Sequence, residues 1–365
     1  MSDYFHGIRV VDQSSLTPSI SSKSSSVIAV LGTVQETPKD FAIAKPYLVN
    51  SLAAAKNFVG GTIGEALNAI FLQTQAQVVV CGMKKQEEIE ATTQSLLNIK
   101  QTLDLDIGFI IAPGRDNSIL PGLKLIAERT KSILIFDLAD KDGRPDESIL
   151  DSMRSERVLA CYPKVLLLQT DGTTKPSALS SFLAGVFART DEEKGFWYSP
   201  SNQKISGIVG LSAPVPYIDD DPNCLANTLN EKKIITVIRD DGFRIWGNSG
   251  LYDSNTPAYR FISVVRTKDA INRSLRRSLR WAIDRGITRN LITEITAKVQ
   301  EFLAQLRLLG AIIDGAVFAD NEQNTPAAMI DGKIFFNIEF TPVFIAESIT
   351  FTSVLTDKYL KNLKS

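Results

Sequence analysis

The chain holds a single histidine, His6, among 365 residues. That scarcity nearly excludes a Ser-His-Asp or Cys-His mechanism and a multi-histidine metal site. Cysteine is almost as rare. Cys81, Cys161 and Cys224 are odd in number and widely spaced, so they frame neither a disulfide scaffold nor a zinc site and read as small core or loop residues. No apolar run approaches the ~20 residues that a membrane span needs. The N-terminal stretch also lacks the charged-then-apolar plan of a signal peptide, so residence in the cytoplasm without membrane insertion is expected. Charge of one sign is missing too: 40 Lys+Arg against 41 Asp+Glu leave a formal net charge of -1, which disfavours a sequence-blind nucleic-acid binder.

Phosphate-binding signatures are absent as well. No G-x-G-x-x-G follows a predicted strand, and no G-x-x-x-x-G-K-[ST] occurs. Gly60-Gly61-Thr62-Ile63-Gly64 opens a predicted helix and fits either a phosphate cradle without its lysine or a tight turn with a cap. The acidic run Asp137 to Gly143 fails calcium-loop spacing. No cofactor, metal or catalytic constellation is predicted.

What is present is an ordinary globular composition, 44% hydrophobic and 22% charged, long enough for more than one core. Residues 3–15 alternate weakly, with a plausible strand at Ile8, Val10 and Val11, and the Ser-rich stretch 14–26 has little to bury. Val27 to Gly32 reads as a strand and 63–75 as an amphipathic helix. Strands follow at 78–81, 107–113, 133–138 and 164–169, with helices at about 86–103, 119–131 and 146–156 between them. Apolar strands alternating with helices imply a mostly parallel α/β sheet covered on both faces.

The second half differs in kind. Ile234–Ile238, Phe243–Trp246 and Phe261–Val265 read as strands, with Thr267 capping a helix from 268 to 285, a compact α+β unit. On that helix Arg273, Arg276, Arg277 and Arg280 share one face, which fits either a solvated surface or an acidic partner surface, and these four are the residues expected to face a partner. Leu291, Ile295, Val299, Phe302, Leu306 and Leu309 form one stripe of a helix over 289–309, stopped by Gly310. Residues 333–342 alternate with Ile334, Phe336, Ile338 and Phe340 on one face, and a last strand places Ile345, Ile349, Phe351 and Leu355 at even separations. The expected fold is therefore α/β plus α+β. An extended arm and linker (1–26) precede a central α/β domain (27–222), a C-terminal α+β domain (223–342) and a terminal strand arm with a tail (343–365).

Several segments resemble, in order, those of contractile phage tail sheath proteins. They are FHGIRVVD near the start, GGTIGEALNAIF with QAQVVVCG at 60–82, EKGFWYSPSNQKISGIVGL at 193–211, and RDDGFRIWGNSGL followed by FISVVRTKDAINRSL. Arg239, Gly242, Trp246, Gly247, Val265, Arg266 and Thr267 match that family's C-terminal motif. The resemblance implies a structural polymer, not an enzyme. Subunits would stack as six-fold rings, a helical homo-oligomer, around an inner tail tube, with baseplate and tail terminator proteins as further partners. Each would donate its arms to sheets of its neighbours, and the assembly would shorten to drive the tube through a cell envelope. It further implies inter-subunit strand pairing through Ile8, Val10, Val11, Ile334, Phe336, Ile338, Ile345, Ile349, Phe351 and Leu355, and a place in a virion tail or phage-tail-like particle. The competing expectation is an α/β nucleotide- or sugar-phosphate-binding enzyme with an oligomerisation domain.

Overall fold

In the computed structural model, residues 26–83, 89–114, 117–139, 143–252, 255 and 257–360 are described. The N-terminal strand residues Ile8, Val10 and Val11 lie outside them. The described chain runs β1 (Val27–Thr33), β2 (Tyr47–Val49), α1 (Leu52–Ala55), α2 (Gly61–Phe71), β3 (Val78–Met83), α3 (Ile89–Leu103), β4 (Ile107–Ile111), α4 (Leu120–Thr130), β5 (Ile133–Asp137) and β6 (Val158–Cys161). It continues through β7 (Val165–Leu168), β8 (Thr174–Ser177), α5 (Leu179–Glu193), β9 (Gly210–Leu211), α6 (Leu225–Glu231), β10 (Ile234–Arg239) and β11 (Phe243–Trp246). The C-terminal part holds α7 (Ile262–Ser278), α8 (Arg289–Leu308), β12 (Ile312–Ala319), α9 (Pro326–Ile330) and β13 (Phe336–Pro342).

Apolar runs without alternation must be covered on both sides, and β1, β4, β5 and β10 are buried along nearly their whole length. They join an 8-stranded sheet of order β11-β10-β6-β5-β4-β1-β3-β2. The interior pairs are parallel, and β2 and β11 close the two edges antiparallel. Ile28, Val30, Phe109, Ile135 and Ile235 face one helical layer that includes Ile63 and Leu67 of α2 and Phe182 and Phe187 of α5. Ala29, Leu31, Ile110, Leu134 and Phe136 face the other, with Ile99 of α3, Leu123 of α4 and Leu229 of α6. A third core joins α7, α8 and the β12–β13 hairpin sheet, with Phe302 and Leu306 at its centre.

Several expectations need correction. The strand at 164–169 exists as β7, but it pairs with β8 and β9 in a separate antiparallel sheet, and the parallel position is taken by β6, which the sequence reading passes over. The helix expected at 146–156 is only a 3-10 turn, Glu147–Ile149, capped by Asp146. Phe261–Val265 is not a strand. Phe261 is the extended N-cap of α7, and Val264 and Val265 are its first buried turn. Thr267 therefore caps nothing; it is buried inside the helix, where its hydroxyl donates to the Ser263 carbonyl at 2.8 Å. The β10–β11 hairpin, expected in a separate α+β unit, extends the central sheet through parallel pairing of β10 with β6. A boundary at 222/223 thus cuts through one sheet.

Candidate assembly surface

The surface that distinguishes this fold begins at α8. Thr288 accepts the Leu291 N–H at 3.1 Å as N-cap, and Gly310, at φ 76°, ends the helix in the left-handed region. The stripe Leu291, Ile295, Val299, Phe302 and Leu306 is buried as its spacing requires, while Leu309 beyond it is exposed. On this stripe lies a two-stranded sheet, β12 against β13, with Gly315 opposite Phe340 and Val317 opposite Ile338. Phe336, Ile338 and Phe340 of β13, together with Ile334 just before it, turn their half-buried side chains into this core. Asn337, Glu339 and Thr341 point to solvent. Among the described residues, neither strand has a second ladder partner, so no strand covers either outer edge.

Beyond Pro342 the chain leaves the sheet. Residues 343–356 form neither helix nor strand. The alternating set expected as a strand has no core to enter. Ile349 is 72% and Phe351 89% exposed, and Leu355 is fully so, whereas Ile345 is half-buried at the start of the segment. Glu347 forms an ion pair with Arg260, which holds the beginning of the arm beside Trp246 and Asn248. The described chain thus carries an apolar alternating segment largely without cover and two strand edges without a ladder partner.

The helix α7 joins the α8 core to the central sheet. Arg157, next to β6, and Asp269 form a buried double ion pair, with one contact at 2.8 Å. Arg266 pairs with Asp191 of α5 and lies 4.9 Å above the Phe109 ring. Lys268 reaches Glu156 at 2.9 Å. The motif residues Val265, Arg266 and Thr267 are therefore packing and charge-pairing residues of this joint. Trp246 packs edge-on against Tyr217 at 5.0 Å. Gly247, at φ 120°, leaves no room for a side chain because a Cβ would come 2.3 Å from the Asn230 carboxamide oxygen.

The four stripe arginines are not equivalent. Arg276, Arg277 and Arg280 are exposed, but α7 ends at Ser278, so Arg280 sits in the following 3-10 turn. Arg273 is half-buried; burial pushes its guanidinium below the usual range, against the pull of Asp106 and Asp269. Arg273 and Arg277 face Asp104, Asp106 and Asp191 across one cleft, so part of the stripe already meets acidic groups of its own chain.

The strand-end crevice that would serve a nucleotide-binding enzyme is built for packing. Thr33 and Thr62 exchange hydrogen bonds at 3.0 Å between each backbone N–H and the other's hydroxyl. A Cβ on Gly61 would lie 2.3 Å from the Thr33 carbonyl, so the glycine permits close approach of α2 to β1. Asp137, at the end of β5, accepts the Ser180 N–H at 3.0 Å and the Ser180 hydroxyl at 2.5 Å, occupying the first turn of α5. Burial raises its pKa, against the lowering effect of those Ser180 bonds.

The described chain is thus a sheet-centred fold whose C-terminal strand pair has no further ladder strand and whose terminal segment is largely uncovered. Among solved structures, the contracted helical sheath of the anti-feeding prophage superposes with a TM-score of 0.79 over 96% of this chain and 99% of that one, at 20% identity. The contracted sheath complex of an extracellular contractile injection system (PVC) gives a TM-score of 0.74 over 98% of this chain and 99% of that one, at 19% identity. In sequence, the phage tail sheath protein central domain model matches residues 66–249 and the phage tail sheath C-terminal domain model residues 254–356. A prophage major tail sheath protein of Pseudomonas aeruginosa is 32% identical, over 98% of both chains. The tail sheath protein of Escherichia phage P2 is 28% identical, over 100% of this chain and 98% of its own. The chain belongs to the phage tail sheath protein family, and as such is a structural subunit of a tail or tail-like particle, not an enzyme. The seam between the two family models falls after Trp246, beyond the hairpin that completes the central sheet.

Proposed function

We propose that the protein forms a contractile sheath: hexameric rings stacked around an inner tail tube, bounded by baseplate and tail terminator proteins, that shortens to drive the tube through a cell envelope. Assembly takes place in the host cytoplasm, without nucleic acid or membrane insertion. The observation that carries the reading is the presence in one chain of two β12–β13 edges without a ladder strand and a largely uncovered alternating arm at 345–355. Strand addition satisfies both at once, because the edge gains ladder bonds and the arm gains cover.

In the proposed assembly Ile345, Ile349, Phe351 and Leu355 of one copy, and Ile8, Val10 and Val11 of another, lie in the Lys333–Phe340 region of a neighbour. The strand pairs persist through contraction. The Ser-rich linker at 14–26 and the chain around Pro342 re-aim, since a proline donates no ladder bond and the linker has few apolar side chains. Arg276, Arg277 and Arg280 face acidic groups of the tube in the extended state, with Arg273 behind them. Energy is stored at assembly in a kinetically trapped extended state, so no nucleotide is consumed.

Deleting 343–365, or 1–20, is expected to leave a folded monomer that no longer forms tubes by electron microscopy. Normal tubes from either truncation contradict strand exchange.

A further inference from the structure

The outer edge of β12 is not open in the same sense as that of β13. Asp320 donates its N–H to Phe335 at 3.0 Å, so even-numbered positions of β12 beyond its bulge turn their backbone groups toward β13. Gly315 and Val317 consequently turn theirs outward. Both already have partners. The Gln300 side-chain amide donates to the Gly315 carbonyl at 3.1 Å, and its oxygen accepts the Val317 N–H at 3.2 Å. The Gly315 N–H is taken by the Asp314 carboxylate at 2.9 Å. A primary amide bonding one carbonyl and one N–H two residues apart stands in for the N–H and C=O that one residue of a parallel neighbouring strand would present to this edge.

We propose that Gln300 is an edge guard. Its carboxamide occupies the outer edge of β12 in the free subunit and is displaced when a strand of a second copy of this chain adds there. The occupant is a second copy because the chain itself carries the alternating, uncovered segment 345–355. Gln300 is solvent-exposed on α8, and swinging out returns its amide to water without opening the core formed by Val299 and Phe302. The guard closes the edge against unprogrammed pairing, and since a hydrogen bond contributes little net free energy, a full strand displaces it.

The inference rests on the strand-exchange reading, and the test separates the two. In the full-length monomer, Gln300→Ala is expected to speed amide exchange at Val317 about tenfold and to leave Phe318, which faces β13, unchanged. The lag before tube formation should shorten by a similar factor, with an unchanged Tm. Gln300→Met, which keeps the side-chain length, should behave as Gln300→Ala does and serves if the alanine variant does not fold. Tubes from the variants with an unchanged or longer lag, or unchanged Val317 exchange, overturn the guard and leave strand exchange standing. A wild-type chain that never forms tubes overturns strand exchange itself.

Discussion

Replacing Phe351 with alanine separates folding from assembly on one side chain. Phe351 is 89% exposed and sits in a segment with no ladder of its own, so its loss should leave the monomer's Tm unchanged. On strand addition its side chain becomes covered. Full burial of an aromatic or aliphatic side chain contributes about 1.5–3 kcal/mol, and alanine forfeits most of it. At about 1.4 kcal/mol per tenfold, the critical concentration for tube formation should rise roughly 10–100-fold. Sedimentation of tubes against total protein measures that concentration, and a thermal melt of the monomer supplies the control. The contrasting change is Phe340→Ala. Phe340 packs against the α8 core inside its own subunit, so that substitution should lower the monomer's Tm. A Phe351→Ala protein with a lowered monomer Tm and an unchanged critical concentration would refute the reasoning, because the arm would then be part of its own subunit's fold.

Breaking the buried Arg157–Asp269 pair by Asp269→Ala leaves the buried guanidinium with only the longer Glu156 contact at 3.4 Å and should cost about 3 kcal/mol in denaturant unfolding. Joint reversal of Arg276 and Arg277 to glutamate should weaken co-assembly with the tube at low salt while sparing monomer stability, since exposed charges contribute little to folding. Unchanged co-assembly would return the stripe to a solvated surface. The raised pKa of Asp137 means that the folded state holds this proton more tightly than the unfolded chain. Its contribution is therefore fully present below the unfolded carboxyl pKa and is lost as pH rises through the folded value. The stability difference between wild type and Asp137→Asn should shrink or reverse across that window, and a difference independent of pH would contradict the assignment.

Much of this architecture is legible in the residues because its signals are local. The parallel strands are unbroken apolar runs, and α8 carries one stripe with a Thr cap and a Gly stop. The failures have physical causes. Helix α5 escapes a periodicity reading because it is buried almost all round from Leu179 to Ala188 and so has no polar face to set a phase. Strand β12 is hidden by Asp314-Gly315, which reads as a turn, and by a register shift between Ile312 and Asp314 that breaks its alternation. The run Phe261–Val265 has the β-branched composition of a strand, but packing between two cores and the salt bridges of Arg266 and Asp269 make it helical. The even spacing of Ile345, Ile349, Phe351 and Leu355 reads as a strand, yet residues 343–356 form none, because no ladder or core among the described residues receives them, and that depends on three-dimensional placement rather than on local pattern. The contacts of Gln300 with Gly315 and Val317, and the Arg157–Asp269 pair, join residues distant in sequence, to which no local pattern points.

The central claim is that neighbouring subunits are joined by exchanged strands on the β12–β13 sheet. A cryo-electron microscopy map of tubes assembled from the full-length chain tests it most directly. The account predicts density for at least one added strand beside β12 or β13, continuous with residues 345–355 or with the N-terminal segment of a different copy. Tubes in which each arm packs on its own subunit and both edges stay unpaired would contradict it.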